Sequence, residues 1–349
     1  MTQDQHPIGS GFTAASTADE VLRGIDLTGR NVIVTGGHVG LGLETTRALS
    51  GADASVTVGT RDPDRAAPGL AGIERVEIDR LDLLDPASID AFAARYLGSG
   101  RPLHILINNA GIMGGPLVRD ARGYESQFAT NHLGHFQLPL ALSPALRAAQ
   151  GARVVNLTSG GHRLSDIRWD DPHFTTGYDG MLAYGQSKTA NVLFAVELDR
   201  RWADDGIRGH AVHPGIVVTT SLGPARAEDG PAVSEAAQRA MGLLDASGRP
   251  VIDPDREMKT PRQGASTIVF AATSPLLAGI GGVYLKNNDV SPLDTPRPVA
   301  FGVGEDVPSD VVPHAVDPES APPALGVERA AAHGVAGGKP KPGLLHAFR

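Results

Sequence analysis

Tyr184 and Lys188, in the run Ala183-Tyr184-Gly185-Gln186-Ser187-Lys188, are the residues of this sequence whose types and spacing best suit moving a proton. Read as a helix, positions i and i+4 lie one turn apart on one face, so a phenol stands beside an ammonium. A neighbouring cation favours phenolate over phenol, and the pair is therefore expected to lower the Tyr184 pKa and make it a better acid near neutral pH. With five tyrosines and five lysines in 349 residues, the spacing alone is weak, and a surface lysine on an amphipathic helix would read the same way. The surrounding elements have to decide.

The second candidate is a place to hold an anion. Thr35-Gly36-Gly37-His38-Val39-Gly40-Leu41-Gly42 follows the β-branched run Asn31 to Thr35 and opens a periodic segment from Leu41 to Leu49. A glycine turn between a buried parallel strand and a helix lets backbone N–H groups approach a pyrophosphate, whose charge the helix dipole favours. The spacing T-G-x-x-x-G-x-G differs from the commoner G-x-G-x-x-G. About 20 residues beyond the turn a carboxylate suits a ribose 2′-hydroxyl and an arginine suits a 2′-phosphate. The second strand, Ala54 to Gly59, ends in Thr60-Arg61, which favours NADP(H) over NAD(H), with Asp62 and Asp64 as the counter-argument.

The elements that must position these groups alternate in type. Strands are predicted at 31–35, 54–59, 75–78, 104–107, 153–157, 208–212 and 282–285, and helices at about 41–49, 86–96, 133–148, 184–202 and 261–272. The strand ends deliver Asn108-Asn109-Ala110-Gly111, Thr158-Ser159 and His213-Pro214-Gly215 to the carboxyl edge, where open parallel sheets bind ligands. This rhythm predicts an α/β fold, a doubly wound parallel sheet of about seven strands with helices on both faces, in one domain over 19–295. A capping box, Thr17-Ala18-Asp19-Glu20, starts a short helix where an N-terminal extension, 1–18, gives way to that domain. Residues 222–260 mix helical pieces with Gly and Pro, as a substrate lid would, and 296–349 read as a Pro/Ala/Gly-rich tail.

Composition narrows the partners. A hydrophobic share of 41% supports a sizeable core, and a formal net charge of −8 without Lys/Arg runs excludes a field for nucleic acid. The absence of cysteine excludes disulfides, thiolate nucleophiles and Cys-ligated metals. His132 and His135 share a helix face without a third ligand of fitting spacing, so both are read as structural and no metal is expected. No stretch has signal-peptide form or approaches the roughly 20 apolar residues of a membrane span, which points to a cytoplasmic protein.

In this order the motifs resemble those of the short-chain dehydrogenase/reductase family: Thr35 to Gly42, Asn108 to Gly111, Asn131, Ser159, Tyr184 with Lys188, and Pro214-Gly215 followed by Thr219. The resemblance covers about Asp19 to Asp294. The runs Leu182 to Asn191 and Asn131 to Phe136, and the 25 positions separating Ser159 from Tyr184, resemble the retinol-dehydrogenase-like branch. The resemblance implies a Rossmann-type fold and NADP(H)-dependent interconversion of a ketone or aldehyde with an alcohol on a lipophilic small molecule. It implies that Tyr184 exchanges the proton with the substrate oxygen, Lys188 holds the nicotinamide ribose, Ser159 hydrogen-bonds the oxygen, and Asn131 kinks its helix and positions a water. Asp82 would contact adenine and Thr219 the nicotinamide amide, while Gly36, Gly40, Leu41, Gly42, Asn108, Ala110, Gly111, Pro214 and Gly215 would line the cofactor. A dimer or tetramer is implied as well. Val39 departs from relatives with a basic residue at that place, Thr158 from those with a first Ser, and Pro322-Pro323 from those that finish with a helix. The rival readings are a dinucleotide-binding sensor or scaffold without turnover and a C=C reductase; relatives of the latter kind use a cysteine, which this chain lacks.

Overall fold

The β-branched runs form the centre of a sheet in the computed structural model, which describes residues 5–220, 222–225, 231, 233–296 and 307–317. Thr17 and Glu20 close the expected capping box around α1 (Ala18–Val21). β1 (Asn31–Thr35) leads through the glycine turn into α2 (Gly40–Gly51), and β2 (Ser55–Thr60), α3 (Pro63–Leu70), β3 (Val76–Arg80), α4 (Pro86–Gly98) and β4 (Ile105–Asn108) follow. α5 (Ser126–Phe128), a π-helical turn (Ala129–Leu133) and α6 (Gly134–Ala141) run on continuously, and α7 (Ser143–Ala148) comes next. The second half contributes β5 (Ala152–Leu157), α8 (Gly180–Trp202), β6 (Ile207–Val212), α9 (Glu235–Ala240), α10 (Pro261–Thr273), β7 (Val283–Lys286), β8 (Asp289–Val290) and α11 (Pro313–Val316).

The strands form one eight-stranded sheet in the order β3-β2-β1-β4-β5-β6-β7-β8. Seven are parallel, as the pattern predicts, and the order reverses between β1 and β4. β8 is the addition. It pairs antiparallel with β7 across Asn287 and Asn288, both at positive φ, the backbone that a two-residue hairpin requires. Two residues are too few to show a period in sequence.

Side-chain alternation along the strands builds the two cores. Val32 and Val34 face Leu49 of α2 and Ile268 and Val269 of α10, whereas Ile33 and Leu106 face Phe92 of α4 and Phe136 of α6. The helix expected from Leu133 begins earlier, because the buried Glu125 carboxylate accepts from the N–H groups of Gln127 (2.8 Å) and Phe128 (2.7 Å) and starts a helix there. Asn131 consequently lies inside the π-helical turn instead of ahead of a helix.

Segments outside the alternating pattern also pack. The Gln5 amide donates to the carbonyls of Tyr284 (2.7 Å) and Ser291 (2.6 Å) and accepts from Tyr284 N–H (3.0 Å). Within the span read as a tail, Val311, Val312 and Ala315 are buried against Val192, Ala195, Ala211 and Tyr284. Apolar spacing over so short a piece, flanked by Pro and Asp, gives no period to read. The remainder of that tail, 297–306 and 318–349, residue 221, and residues 226–230 and 232 of the lid stretch lie outside the described residues. Removing the Gln5 amide would leave a buried strand N–H without a partner, which costs about 1–3 kcal/mol. Gln5→Ala is therefore expected to lower urea-unfolding stability by about that amount with an unchanged m-value.

Candidate active site

α8 is where proton chemistry and burial meet. The Asp179 carboxylate caps it through the N–H groups of Met181 (2.8 Å) and Leu182 (2.9 Å), and every residue from Ala183 to Asp199 is buried. Tyr184 and Lys188 are each only 5% exposed. The Lys188 ammonium lies 5.4 Å from the Tyr184 ring centre and donates to the Leu157 carbonyl at 3.2 Å. Thr158 follows on the same strand end and donates its hydroxyl to the Lys188 carbonyl at 2.8 Å.

The expected lowering of the Tyr184 pKa is not what this geometry produces. Burial disfavours phenolate and pushes Tyr184 up to about 12, against a smaller opposite effect of the Ser159 hydroxyl. Burial likewise pulls Lys188 down to about 8. Desolvation of both groups outweighs the attraction that sequence spacing suggests, and Tyr184 is a neutral, proton-bearing phenol at pH 7.

Asn131 reaches the same spot from the opposite side. Its Nδ2 donates to the Ile112 carbonyl (2.9 Å) and the Ser187 hydroxyl (3.0 Å), and its Oδ1 accepts from Ile112 N–H (2.9 Å). The Asn131 carbonyl accepts from His135 Nδ1 and Asn191 Nδ2, each at 3.0 Å. Gly111 lies between: a Cβ there would stand 3.2 Å from Asn131 Oδ1 and 3.7 Å from Lys188 Nζ. Ser159 ends the extension of β5, and its Oγ accepts from Gly161 N–H at 3.1 Å, which leaves the hydroxyl proton to point elsewhere.

The glycine turn is built for close approach. Gly36 has φ of +65°, and a Cβ on Gly42 would run into the Gly36 carbonyl and the Asn109 side chain. Side chains cap α3, α4, α8 and α10 at Asp62, Asp85, Asp179 and Thr260, whereas Val39 leaves the first N–H groups of α2 without a side-chain cap. An uncapped helix start behind a bare turn fits a pyrophosphate. Thr35 Oγ1 braces the facing wall by accepting from Asn109 N–H (2.9 Å) and Ala110 N–H (3.0 Å), and Ala110 packs on Gly36.

The remaining predicted residues divide. Gly40, with Leu41, opens α2, and Arg61 lies exposed immediately after β2, on the same edge. Gly215, following Pro214 at the end of β6, has φ of +87°. Asp82 Oδ1 accepts from Leu84 N–H at 3.0 Å, and Asn108 Nδ2 donates to Asn156 Oδ1 at 2.7 Å and the His135 carbonyl at 3.3 Å; both side chains thus hold local structure. Thr219 is exposed, and its neighbour Thr220 is the residue that faces Gly40.

His132 and His135, read from the sequence as structural, are buried and hydrogen-bonded, whereas His162 and His213 had no sequence signal beyond proximity to a motif. His132 Nδ1 pairs with Asn191 Oδ1 (2.9 Å), and His135 Nε2 with the Thr35 hydroxyl (2.9 Å). His162 and His213 flank Ser159 on either side. A lone buried histidine in a motif gap has no spacing rule to betray it.

The chain is similar to known proteins over most of its length. The family model described as short chain dehydrogenase matches residues 30–230. A Streptomyces lividans protein named as a probable oxidoreductase is 45% identical over 304 residues, covering 85% of this chain and 95% of that protein. Human retinol dehydrogenase 12 is 36% identical over 269 residues, covering 75% and 79%. Among solved structures, an uncharacterized protein from Mycobacterium paratuberculosis has a TM-score of 0.66 at 28% identity, covering 91% and 98%. Pseudomonas aeruginosa RhlG, solved as an active-site complex with NADP, has a TM-score of 0.54 at 26% identity, covering 74% and 95%.

The buried imidazoles set an acid limit. Burial pulls His135, His162 and His210 down to about 3 and His213 to about 4, from an ordinary 6.5. Between those values the unfolded chain binds more protons than the folded one, so stability falls as pH drops. The loss is expected to begin near pH 6.5 and to steepen toward pH 4, by up to about 1.4 kcal/mol per pH unit for each histidine. Urea titrations across pH 4 to 8 measure it, and a flat profile would contradict it.

Proposed function

The chain belongs to the short-chain dehydrogenase family and is an NAD(P)-dependent oxidoreductase, and on that premise we propose that it interconverts a lipophilic ketone or aldehyde with its alcohol using NADP(H). The observation that carries this reading is the convergence of buried Lys188 and Asn131 on Gly111, with Tyr184 one turn before Lys188 on α8 and Ala110 packed on Gly36 of the turn that leads to the uncapped start of α2. NADP(H), when bound, supplies or accepts the hydride. Its pyrophosphate would lie over Gly36, Gly40, Leu41 and Gly42, and Arg61 would meet a 2′-phosphate as a charge-assisted donor.

The chain's own groups then handle the proton. Tyr184 carries its proton at neutral pH, as an ordinary phenol does and as burial reinforces, and so it is the proton donor available to a carbonyl oxygen that gains charge, or the acceptor in reverse. The Ser159 hydroxyl, its oxygen already engaged by Gly161 N–H, donates to that same oxygen. Lys188, held by Leu157, would take the nicotinamide ribose hydroxyls, and Asn131 fixes the Gly111-Ile112 backbone opposite.

A lipophilic substrate is supported by the rim. The exposed Leu117, Leu182 and Leu222 lie on neighbouring segments, since Met113 N–H donates to the Gly223 carbonyl (2.8 Å), Gly115 abuts Pro224, and Gly180 abuts Gly115. The relative named retinol dehydrogenase 12 suggests retinal as one member of a test panel, beside medium-chain aldehydes and aryl ketones.

Paired titrations with NADPH and NADH test the cofactor. NADPH is expected to bind more tightly, and Arg61→Ala to weaken NADPH alone by about 10- to 100-fold. Tighter NADH binding would remove the role of Arg61 and leave the site standing. With the panel substrate turned over fastest, Tyr184→Phe is expected to lower kcat by about 100-fold or more. Full turnover in that variant would end the acid assignment.

A further inference from the structure

One peptide unit beside the site is held from both sides by buried imidazoles. The carbonyl of the Ser159–Gly160 peptide accepts from His162 Nδ1 at 2.7 Å and also from His162 backbone N–H at 3.0 Å. The N–H of the same peptide donates to His213 Nδ1 at 3.1 Å. Both imidazoles are buried, and their partners dictate opposite tautomers. A carbonyl needs the proton on Nδ1 of His162, and an N–H donor needs a bare Nδ1 on His213, so that His213 carries its proton on Nε2.

The outer nitrogens lead to a segment distant in sequence. His162 Nε2 accepts from Val312 N–H at 3.4 Å. His213 Nε2 faces Glu257 Oε2 at 3.7 Å, and Glu257 Oε1 accepts from the Ser309 hydroxyl at 3.0 Å. Ser309 in turn packs on Gly160, where a Cβ would stand 3.4 Å from its own. The turn so enclosed is also the one that donates Gly161 N–H to Ser159 Oγ and lies against the Tyr184 ring.

We propose that His162 and His213 are positioning residues that clamp the Ser159–Gly160 peptide in opposite tautomers, with residues 307–317 as their outer support, and so fix the Ser159 hydroxyl relative to Tyr184. This rests on the assignment of Ser159 to the substrate oxygen given above. Misplacement of a reacting contact by about 1 Å can cost about 100-fold in rate, whereas neither histidine lies on the glycine turn that would hold the cofactor.

The test uses the full chain. Nitrogen-15 NMR of the labelled protein at pH 7, with the histidine signals assigned by through-bond correlation to the backbone, is expected to show protonated Nδ1 at His162 and protonated Nε2 at His213. Any other tautomer at either residue overturns the clamp, and this measurement does not depend on a variant folding. Kinetics then use NADPH and the fastest carbonyl of the panel. An Asn side chain places its amide where Nδ1 stands, and a Gln places it where Nε2 stands. His162→Asn and His213→Asn are therefore expected to stay within about threefold of the parent, while His162→Gln and His213→Gln lose about 10- to 100-fold in kcat with unchanged NADPH affinity. Gln is the closer match to His in volume, so a space-filling role predicts the reverse order, and Gln variants equal to or better than Asn variants would sink the proposal. Ser159→Ala separates the two assignments. If it retains turnover, the reading of Ser159 fails and the clamp loses its catalytic purpose; if it loses turnover while Asn and Gln variants behave alike, the clamp alone fails.

Discussion

The hydrogen bond from the Lys188 ammonium to the Leu157 carbonyl is the contact around which the carboxyl edge of the sheet is arranged. An ammonium taken out of water needs oxygen acceptors, and a buried backbone carbonyl needs donors. Leu157 supplies the acceptor, and Asn191 Nδ2 donates to the same carbonyl at 2.9 Å while also donating to Asn131. His132 orients Asn191 through its Oδ1. β5, α8 and the π-helical turn are thereby joined through polar atoms that have few alternative partners. A π-helical turn leaves its carbonyls displaced from the usual ladder, and here the Asn131 carbonyl is met by Asn191 and His135.

Burial also explains why the chemistry differs from a simple charge argument. Two ionisable groups one turn apart suggest mutual stabilisation of their charged forms, but each is so enclosed that loss of solvation is the first cause of its shift. Tyr184 is held toward its proton-bearing form and Lys188 toward neutrality. On the proposed reaction the phenol must be induced to part with its proton, which would place weight on the substrate oxygen and its hydrogen-bonding neighbours.

Much of this was legible in the sequence, for definable reasons. Val32, Ile33 and Val34 belong to a run whose continuous apolar character comes from burial on both faces, so β1 and its glycine turn could be placed to within a residue. Tyr184 and Lys188 have a fixed helical spacing, and that spacing survives in α8. The π-helical turn around Asn131 left no mark on apolar periodicity, since one extra residue in a helical turn does not disturb it, and only the family resemblance, which implies a helix-kinking Asn131, pointed to an irregularity there. The tautomeric arrangement of His162 and His213 was hidden for another reason. It joins residues 51 positions apart to a piece near 310, and the donors and acceptors involved are mostly backbone atoms, which every sequence possesses.

The margins of the sheet bear on how copies of this chain can meet. β3 forms one border and carries Glu77, Asp79 and Arg80, charges that discourage a further strand. At the other border β8 has two residues, and the Asp289 carboxylate there accepts from the N–H groups of Ile8 (2.8 Å), Gly9 (3.0 Å) and Ser10 (3.1 Å). The chain's own early residues are therefore anchored at that border through the Asp289 side chain. Extension of the sheet from one molecule into another is thus discouraged at one border by charge and at the other by the brevity of β8 and the residues tied to Asp289.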